Sequence, residues 1–462
     1  MWFDSHAHLN RNFFPDDLDA VIDRAFASGI EGIVTIGASA DPAEMTEAVE
    51  VARAHERIWA AVGVHPHEAD KATEETFATL ARLLGDPKVV ALGEVGLDYF
   101  YDLSSRGGQM TVFRRQVAMA ALAGKPLVIH VRDAHADCLE VLRSERLPWP
   151  PGVIHCFTSD LETARAYVDL GFKISIPGVV TFRNAVPLAE AVRGLRAEDL
   201  LVETDSPFLA PVPMRGRRNE PSFVRHTGEA VALLKGLTPE DVARITTLTT
   251  RRLFGIEVQD APAPVLVYPI RESLYVNVTN RCTLRCTFCA KFKDWVVKGH
   301  NLRLPADPAP EALWDALVAA GFERYREVVF CGYGEPLLRW EVVAELAARV
   351  KAAGVKVRVN TDGLASLVSG RDVVAELAGK VDALSVSMNA PDGESYAAVC
   401  RSRHGVAAFD AVCAFLRRAR DVIPEVTASV VALPDLDIEA CRRLAEDQIG
   451  VRFRVRTLDD PG

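Results

Sequence analysis

The sequence predicts an α/β protein built as two consecutive barrels, an N-terminal (β/α)8 TIM barrel followed by a C-terminal partial (β/α)6 barrel. Three observations carry this. Short apolar, β-branched runs alternate with amphipathic segments along the chain. Eight such units fall before residue 256, and six more follow a proline-bearing break. Most polar motifs stand directly behind an apolar run, where the loops of a barrel bring together side chains distant in sequence.

Taken in order, the first eight strands are expected at 2–6, 32–36, 59–64, 89–93, 127–130, 152–155, 173–176 and 200–203, with amphipathic helices such as 18–27, 111–123 and 162–170 between them. The segment Glu257-Val258-Gln259-Asp260-Ala261-Pro262-Ala263-Pro264 follows a helix ending near Phe254-Gly255, and its two prolines mark a linker. The expected organisation is therefore a domain over 1–256, a linker over 257–264 and a domain over 265–462. Beyond the linker, strands are expected at 275–278, 327–330, 355–360, 384–388, 427–432 and 452–456, with helices at 309–320, 341–353, 373–377 and 409–419.

A chain of 462 residues exceeds the size at which one hydrophobic core stops growing, which agrees with two domains. With 49% hydrophobic and 25% charged residues the composition is that of an ordinary globular protein. No apolar run approaches bilayer length, and the N-terminus enters a polar Asp-Ser-His motif without a basic leader, so no membrane association and a cytoplasmic location are expected. The nine cysteines are odd in number and suit a reducing compartment better than a disulfide framework. The net charge of -10 arises in the first domain and argues against broad phosphate-backbone binding. Metal cations in a carboxylate-rich pocket could reverse the local field for an anionic substrate. The basic run Arg215-Gly216-Arg217-Arg218 is either a phosphate contact or a solvated loop.

The first domain carries Asp4-Ser5-His6-Ala7-His8, Gly93-Glu94-Val95-Gly96-Leu97-Asp98, Val128-Ile129-His130, Val153-Ile154-His155-Cys156-Phe157 and Glu203-Thr204-Asp205-Ser206-Pro207. Two residues apart on a strand, His6 and His8 face the same way and can hold one metal. Glu94 could bridge through its two oxygens, joining a site with His6, His8 and Asp205 to another with His130 and His155. Two such metals activate water and stabilise charge developing on a phosphoryl group. This donor mixture suits Zn, Mn or Fe better than Mg alone. His55, His67, His135 and His226 lack an evident ligand partner, and Cys138 and Cys156 read as small buried apolar groups.

With Gly63-Val64-His65-Pro66-His67, Pro207-Phe208-Leu209-Ala210-Pro211 and Arg218-Asn219-Glu220-Pro221, these motifs resemble the TatD family of metal-dependent deoxyribonucleases over nearly all of 1–255. The resemblance implies a two-metal barrel that cleaves phosphodiesters in DNA, with two divalent ions (Zn, Mn or Mg), His65 near the substrate, and Asp205 binding metal and helping to activate water. Glu94 is then ligand and catalytic bridge. An amide- or ester-cleaving barrel hydrolase is the alternative, although many amidohydrolases bridge their metals with a modified Lys where this chain has a carboxylate.

In the second domain, Cys282-Thr283-Leu284-Arg285-Cys286-Thr287-Phe288-Cys289 can seat three irons of a [4Fe-4S] cluster and leave the fourth open to a small molecule. A zinc site or ordinary thiols are the plainer readings, but zinc usually wants a fourth Cys or His, and His300 is the nearby candidate. Cys331-Gly332-Tyr333-Gly334-Glu335-Pro336 follows a strand, and its glycines allow close approach of a ligand. These motifs resemble the radical S-adenosylmethionine (radical SAM) superfamily, with Tyr333 interrupting its Gly-Gly-Glu-Pro motif. The resemblance implies S-adenosylmethionine on the open iron, contacts from Gly334 and Glu335 to its amino group, and contacts from Asn360, Ser387 and Asn389 to its ribose or carboxylate. It also implies an electron donor as partner and an unknown radical substrate. Cys331, Cys400, Cys413 and Cys441 read as packed thiols. A binding or tethering role for the second domain is the alternative.

Overall fold

The computed structural model describes residues 1–256 and 263–458, so the expected linker at 257–264 lies almost wholly outside the described residues. The chain forms two compact units, Met1–Gln259 and Asp260–Gly462.

In the first unit eight parallel strands follow one another in chain order: β1 (Trp2–Ala7), β2 (Ile30–Ala38), β3 (Ile58–Gly63), β4 (Val89–Asp98), β5 (Leu127–Arg132), β6 (Gly152–Ile154), β7 (Lys173–Ile176) and β8 (Leu200–Val202). Closure falls to the residues just past β8: Ala7 bridges Ser206, His8 N–H donates to the Ser206 carbonyl at 2.8 Å, and Asp205 N–H to the His6 carbonyl at 2.9 Å. All eight expected strands are present, and the helices Leu18–Ala27 and Leu161–Asp169 lie where the apolar spacing placed them. The helix expected over 111–123 starts earlier, as Arg106–Ala123, because the Ser105 hydroxyl accepts from Gly108 N–H and caps it.

Val128, Val153 and Leu201 stand two residues before His130, His155 and Glu203, so strand alternation points each pair into the barrel. With Val34, Ile36 and Ala61 they form a small apolar floor, joined by Leu253 and Phe254 of the last helix, Pro239–Phe254. A larger cluster packs the outer face of the strands against the surrounding helices.

The second unit holds β9 (Val267–Ile270), β10 (Ser273–Val276), a short ribbon of β11 (Val296–Val297) and β12 (His300–Asn301), and then β13 (Glu327–Phe330), β14 (Lys356–Thr361), β15 (Ala383–Ser387), β16 (Glu425–Val431) and β17 (Arg452–Arg456). The main sheet runs β9-β10-β13-β14-β15-β16-β17, its last six members parallel, as expected for a partial (β/α)6 barrel. Two features were not anticipated. β9 pairs antiparallel with β10, making the sheet mixed, and the β11–β12 ribbon lies outside it. Pro269 reads as a strand breaker, yet an edge strand tolerates proline, and Pro269 sits opposite Leu274 on that edge. The expected helices appear as Pro310–Ala319, Trp340–Ala352, Val373–Leu377 and Ala407–Arg420, and a further helix covers Gly393–Cys400. No helix among the described residues is long and apolar enough to cross a membrane.

Candidate active sites

Because barrel strands deliver their last residues to one rim, His6, His8, Glu94, His130, His155 and Asp205 converge there. Glu94 lies at the centre. Its Oε1 is 2.9 Å from His130 Nδ1, 2.9 Å from His155 Nε2 and 3.4 Å from His65 Nε2. Its Oε2 is 3.5 Å from His6 Nε2 and 3.8 Å from His8 Nε2. Asp205 Oδ1 closes the second group, 3.6 Å from His6 Nε2 and 3.3 Å from His8 Nε2. Thus the two oxygens of one carboxylate face two donor sets, His6–His8–Asp205 and Glu94–His130–His155, each with ligand atoms within 4.8 Å of one another.

Carboxylates outside the expected set orient these imidazoles. Asp98 Oδ2 lies 3.0 Å from His130 Nε2 and 2.8 Å from His67 Nε2, while Glu203 Oε1 lies 3.1 Å from His155 Nδ1. Each thereby fixes which ring nitrogen is left for a metal. Sequence reasoning assigned no role to Asp98, Glu203 or His67. The signal was present: Asp98 stands four residues beyond Glu94 on β4, and Glu203 two beyond Leu201. Asp4 was also missed. Buried under the rim, it accepts from Thr204 N–H at 2.9 Å and from the Thr204 hydroxyl, tying β1 to the closing segment. Burial pushes its carboxyl up to about 8, against those hydrogen bonds. Cys138 is buried as expected, whereas Cys156 is only half-buried at the rim, its N–H donating to Glu203 Oε1 at 2.8 Å.

Burial alone would raise the Glu94 carboxyl, but the surrounding imidazoles, led by His155 and His65, hold it well below the usual carboxylate range. Asp205 is likewise lowered, its burial outweighed by His8, His155 and His6. Burial drives His65 down to about 4 and lowers His6 as well. His155 goes well up: burial opposes this, but Glu94 and Glu203 outweigh it. Fully buried His6 Nδ1 has no hydrogen-bond partner. A pocket of buried carboxylates that draws a proton onto His155, with imidazole nitrogens turned inward, fits divalent cations. Of the basic run, Arg218 pairs with Asp17 and lies over Phe14, and Arg215 lies over Phe182.

In the second unit the cysteine loop follows β10. Cys282 is exposed, and Cys286 and Cys289 are half-buried. Among the described residues, the groupings tight enough for one ion include no cysteine. The loop after β13 braces this segment: Glu335 N–H donates to the Arg281 carbonyl at 2.7 Å, and Gly334 packs so closely that a Cβ would lie 2.2 Å from the Thr279 oxygen. Glu335 is buried and accepts from Thr361 Oγ1 at 2.8 Å, Asp362 N–H at 2.6 Å and Leu337 N–H at 2.9 Å. Burial, and after it the nearby Asp362, pushes its carboxyl well up. Asp362 also accepts from the Thr283 hydroxyl, holding the middle of the cysteine loop.

Asn360, Ser387 and Asn389 stand at strand ends as expected, and two arginines not singled out from sequence join them. Arg358 Nη1 donates to Asn360 Oδ1 at 2.9 Å; Arg456 Nη2 is 3.3 Å from Ser387 Oγ and 3.5 Å from Asn389 Oδ1. Arg456 ends β17, so its position followed from the strand-end rule. Cys413 and Cys441 are buried as expected and Cys331 is half-buried. Cys400, also buried, has a more particular setting: it abuts Cys286, and Asn389 Nδ2 lies 3.8 Å from its sulfur.

An eight-stranded barrel with clustered imidazoles and carboxylates at its rim defines a metal-dependent hydrolase. Residues 3–255 match the family model described as TatD related DNase, and the chain belongs to that family. Residues 276–447 match the Radical SAM superfamily, so the chain joins two enzyme domains. It is 44% identical over 256 residues to the uncharacterized metal-dependent hydrolase YabD of Bacillus subtilis, covering 55% of this chain and 100% of that protein. It is 38% identical over 264 residues to the 3'-5' ssDNA/RNA exonuclease TatD of Erwinia amylovora, covering 55% and 100%. The crystal structure of YJJV, a TatD homolog from Escherichia coli k12, superposes with a TM-score of 0.52 at 26% identity, over 55% of this chain and 98% of that one.

Proposed function

We propose that the first domain, 1–256, hydrolyses phosphodiester bonds in single-stranded DNA or RNA, and that the second, 265–462, is a radical SAM enzyme acting on an unidentified substrate. The observation that carries the hydrolase reading is the division of Glu94 between two donor sets. When bound there, a pair of divalent cations (Zn, Mn or Mg) would acidify water and neutralise charge on the phosphoryl oxygens.

The chain's own groups supply the rest. Asp205, lowered and therefore ionised at neutral pH, accepts the proton of the attacking water as the new oxygen–phosphorus bond forms. Lowered to about 4, His65 is neutral at pH 7 and can orient a phosphoryl oxygen without competing as a cation. The ester P–O bond breaks as the leaving oxygen takes a proton from solvent water, and the proton held by Asp205 returns to solvent, so the products are a phosphate monoester and a free hydroxyl. Incubation with end-labelled oligonucleotides in Mn, Mg or Zn should yield products that EDTA abolishes. Turnover of aminoacyl esters or amides with intact oligonucleotides would refute the reading in favour of an amidohydrolase.

For the second domain, Cys282, Cys286 and Cys289 are assigned to a [4Fe-4S] cluster, and Gly334, Glu335, Asn360, Ser387 and Asn389 to S-adenosylmethionine. Such a cluster supplies one electron, from an external donor, to split a carbon–sulfur bond of the cosubstrate. The cysteine loop, braced by Gly334, Glu335 and Asp362, supports this reading. Anaerobic, reduced protein should release 5'-deoxyadenosine and methionine, and Cys286→Ala should not. A wild-type chain that never takes up iron would refute it and leave a tethering role.

A further inference from the structure

Beside the hydrolase rim, two pairs of exposed rings stand where nothing in the hydrolysis requires them. Phe13 and Phe208, 36% and 46% exposed, meet edge to face at 5.2 Å. Each also packs against His8, at 5.8 and 5.9 Å. Phe100 and Tyr101, 55% and 51% exposed, meet edge to face at 4.9 Å, and Tyr101 packs on His67 at 5.4 Å. Arg132 lies over both of these rings, 3.9 Å from one centroid and 4.7 Å from the other.

Isolated exposed apolar side chains are ordinary. These four differ because they are paired and adjoin the two donor sets separately, one pair through His8 and the other through His67 and its neighbour His130. An unbroken series of ring contacts, His8–His6–His155–His130–His67, joins the pairs across the cluster. The chain is acidic, with a net charge of -10, and two arginines of its basic run are held by Asp17 and by aromatic faces, Arg218 over Phe14 and Arg215 over Phe182. Contacts to phosphate alone would not distinguish one strand from another, and stacking on aromatic rings adds affinity for any unpaired base.

We propose that Phe13–Phe208 and Phe100–Tyr101 are two base-binding subsites that hold unpaired nucleobases on either side of the phosphate presented to the Glu94 cluster, with Arg132 holding a phosphate beside the second pair. This rests on the phosphodiesterase reading and specifies its substrate as a strand with unstacked bases. In a duplex, bases are already stacked on their neighbours and cannot occupy both subsites.

The test uses the full-length protein, a fluorescein-labelled single-stranded DNA oligomer, the same oligomer with abasic sugars at the positions flanking the cut, and a blunt duplex. Binding is read by anisotropy with Mn on oligomers carrying a non-hydrolysable phosphonate at the cut, and KM and kcat are read with Mn on the cleavable strands. Replacing Phe100 and Tyr101 together by Ala, or Phe13 and Phe208 together, should weaken binding of the normal strand and raise KM at least tenfold, with kcat nearly unchanged and abasic-strand binding unaltered. Leu replacements, which keep apolar area but lose the ring face, should behave like Ala. Binding should also fall only shallowly with salt. Equal losses on normal and abasic strands, or variants that bind the normal strand like wild type, would overturn the subsites while leaving the phosphodiesterase reading standing. A wild-type protein that neither binds nor cuts any strand would overturn both.

Discussion

Replacing Gly334 by Ala should empty the second site without touching the first. A Cβ at this position would lie 2.2 Å from the Thr279 carbonyl oxygen and 2.5 Å from that of Arg281, both backbone atoms of the segment leading into Cys282. Carbon and oxygen at ordinary contact need about 1 Å more, so that segment must retreat, at an overpacking cost of about 1–3 kcal/mol. The retreat also stretches the 2.7 Å hydrogen bond from Glu335 N–H to the Arg281 carbonyl, which adds about 0.5–1.5 kcal/mol. A total of about 2–4 kcal/mol, charged against the cluster-competent loop, lowers cluster affinity by about 30- to 1,000-fold. Anaerobic reconstitution at limiting iron and sulfide, followed by iron analysis and visible absorbance, measures this directly. Turnover at the hydrolase site serves as an internal control and should not change. An alanine variant that fills with iron like the wild type would refute the argument that Gly334 is there to let two backbone segments touch.

Other perturbations have equally definite outcomes. Asp98→Asn takes the carboxylate from both His67 and His130, and should weaken divalent-metal affinity about 10- to 100-fold in chelator competition. Glu94→Gln removes the charge facing both donor sets and should lower kcat on oligonucleotides by about a thousandfold, worth several kcal/mol at the transition state. Glu327 braces β13 to β14 and β10 through Arg358 at 2.8 Å and Ser273 at 2.9 Å. Burial would raise its carboxyl, but Arg358 first, then Ser273 and Lys356, hold it below the usual value. Its contribution, about 1–3 kcal/mol, is therefore complete above the ordinary carboxylate range and lost as pH falls through the depressed value. Amide exchange should show Glu327→Gln loosening these strands at neutral pH, with the difference from wild type shrinking in acid.

The fold was legible wherever apolar runs and capping residues speak locally. The eight barrel strands and the six parallel strands of the second unit follow from hydrophobic runs alone, whereas β9 was hidden because Pro269 is a breaking signal that only an edge position excuses. At the site, residues at strand ends with metal-binding side chains stood out. Those that act through a neighbouring side chain did not, since nothing local distinguishes Asp98 or Glu203 from an ordinary buried acid until His130 and His155 are seen beside them. Arg358 was overlooked for a related reason: a charged residue between valines reads as a solvent-facing interruption, and only its partner Asn360 reveals the inward-facing role, whereas Arg456 stood at a strand end and was missed although the strand-end rule placed it.

Charge balance at the hydrolase rim argues for two cations rather than one. Glu94, Asp98, Glu203 and Asp205 bring four carboxylates within hydrogen-bonding or ion-pair reach of the same imidazoles. Asp4, the remaining acid beneath them, is pushed up to about 8 and so is mostly protonated at neutral pH. His6 and His65 are lowered by burial and contribute no compensating charge, so in the absence of metal it falls to His155 and His130, which the carboxylates beside them raise. Carboxylates clustered in a low-dielectric pocket are costly to ionise unless cations match them. A single divalent ion would leave half of them to protonated imidazoles, which could then not serve as ligands. Two divalent ions, as proposed for this site, would match them and would leave each ring neutral, the form in which its nitrogen lone pair can coordinate.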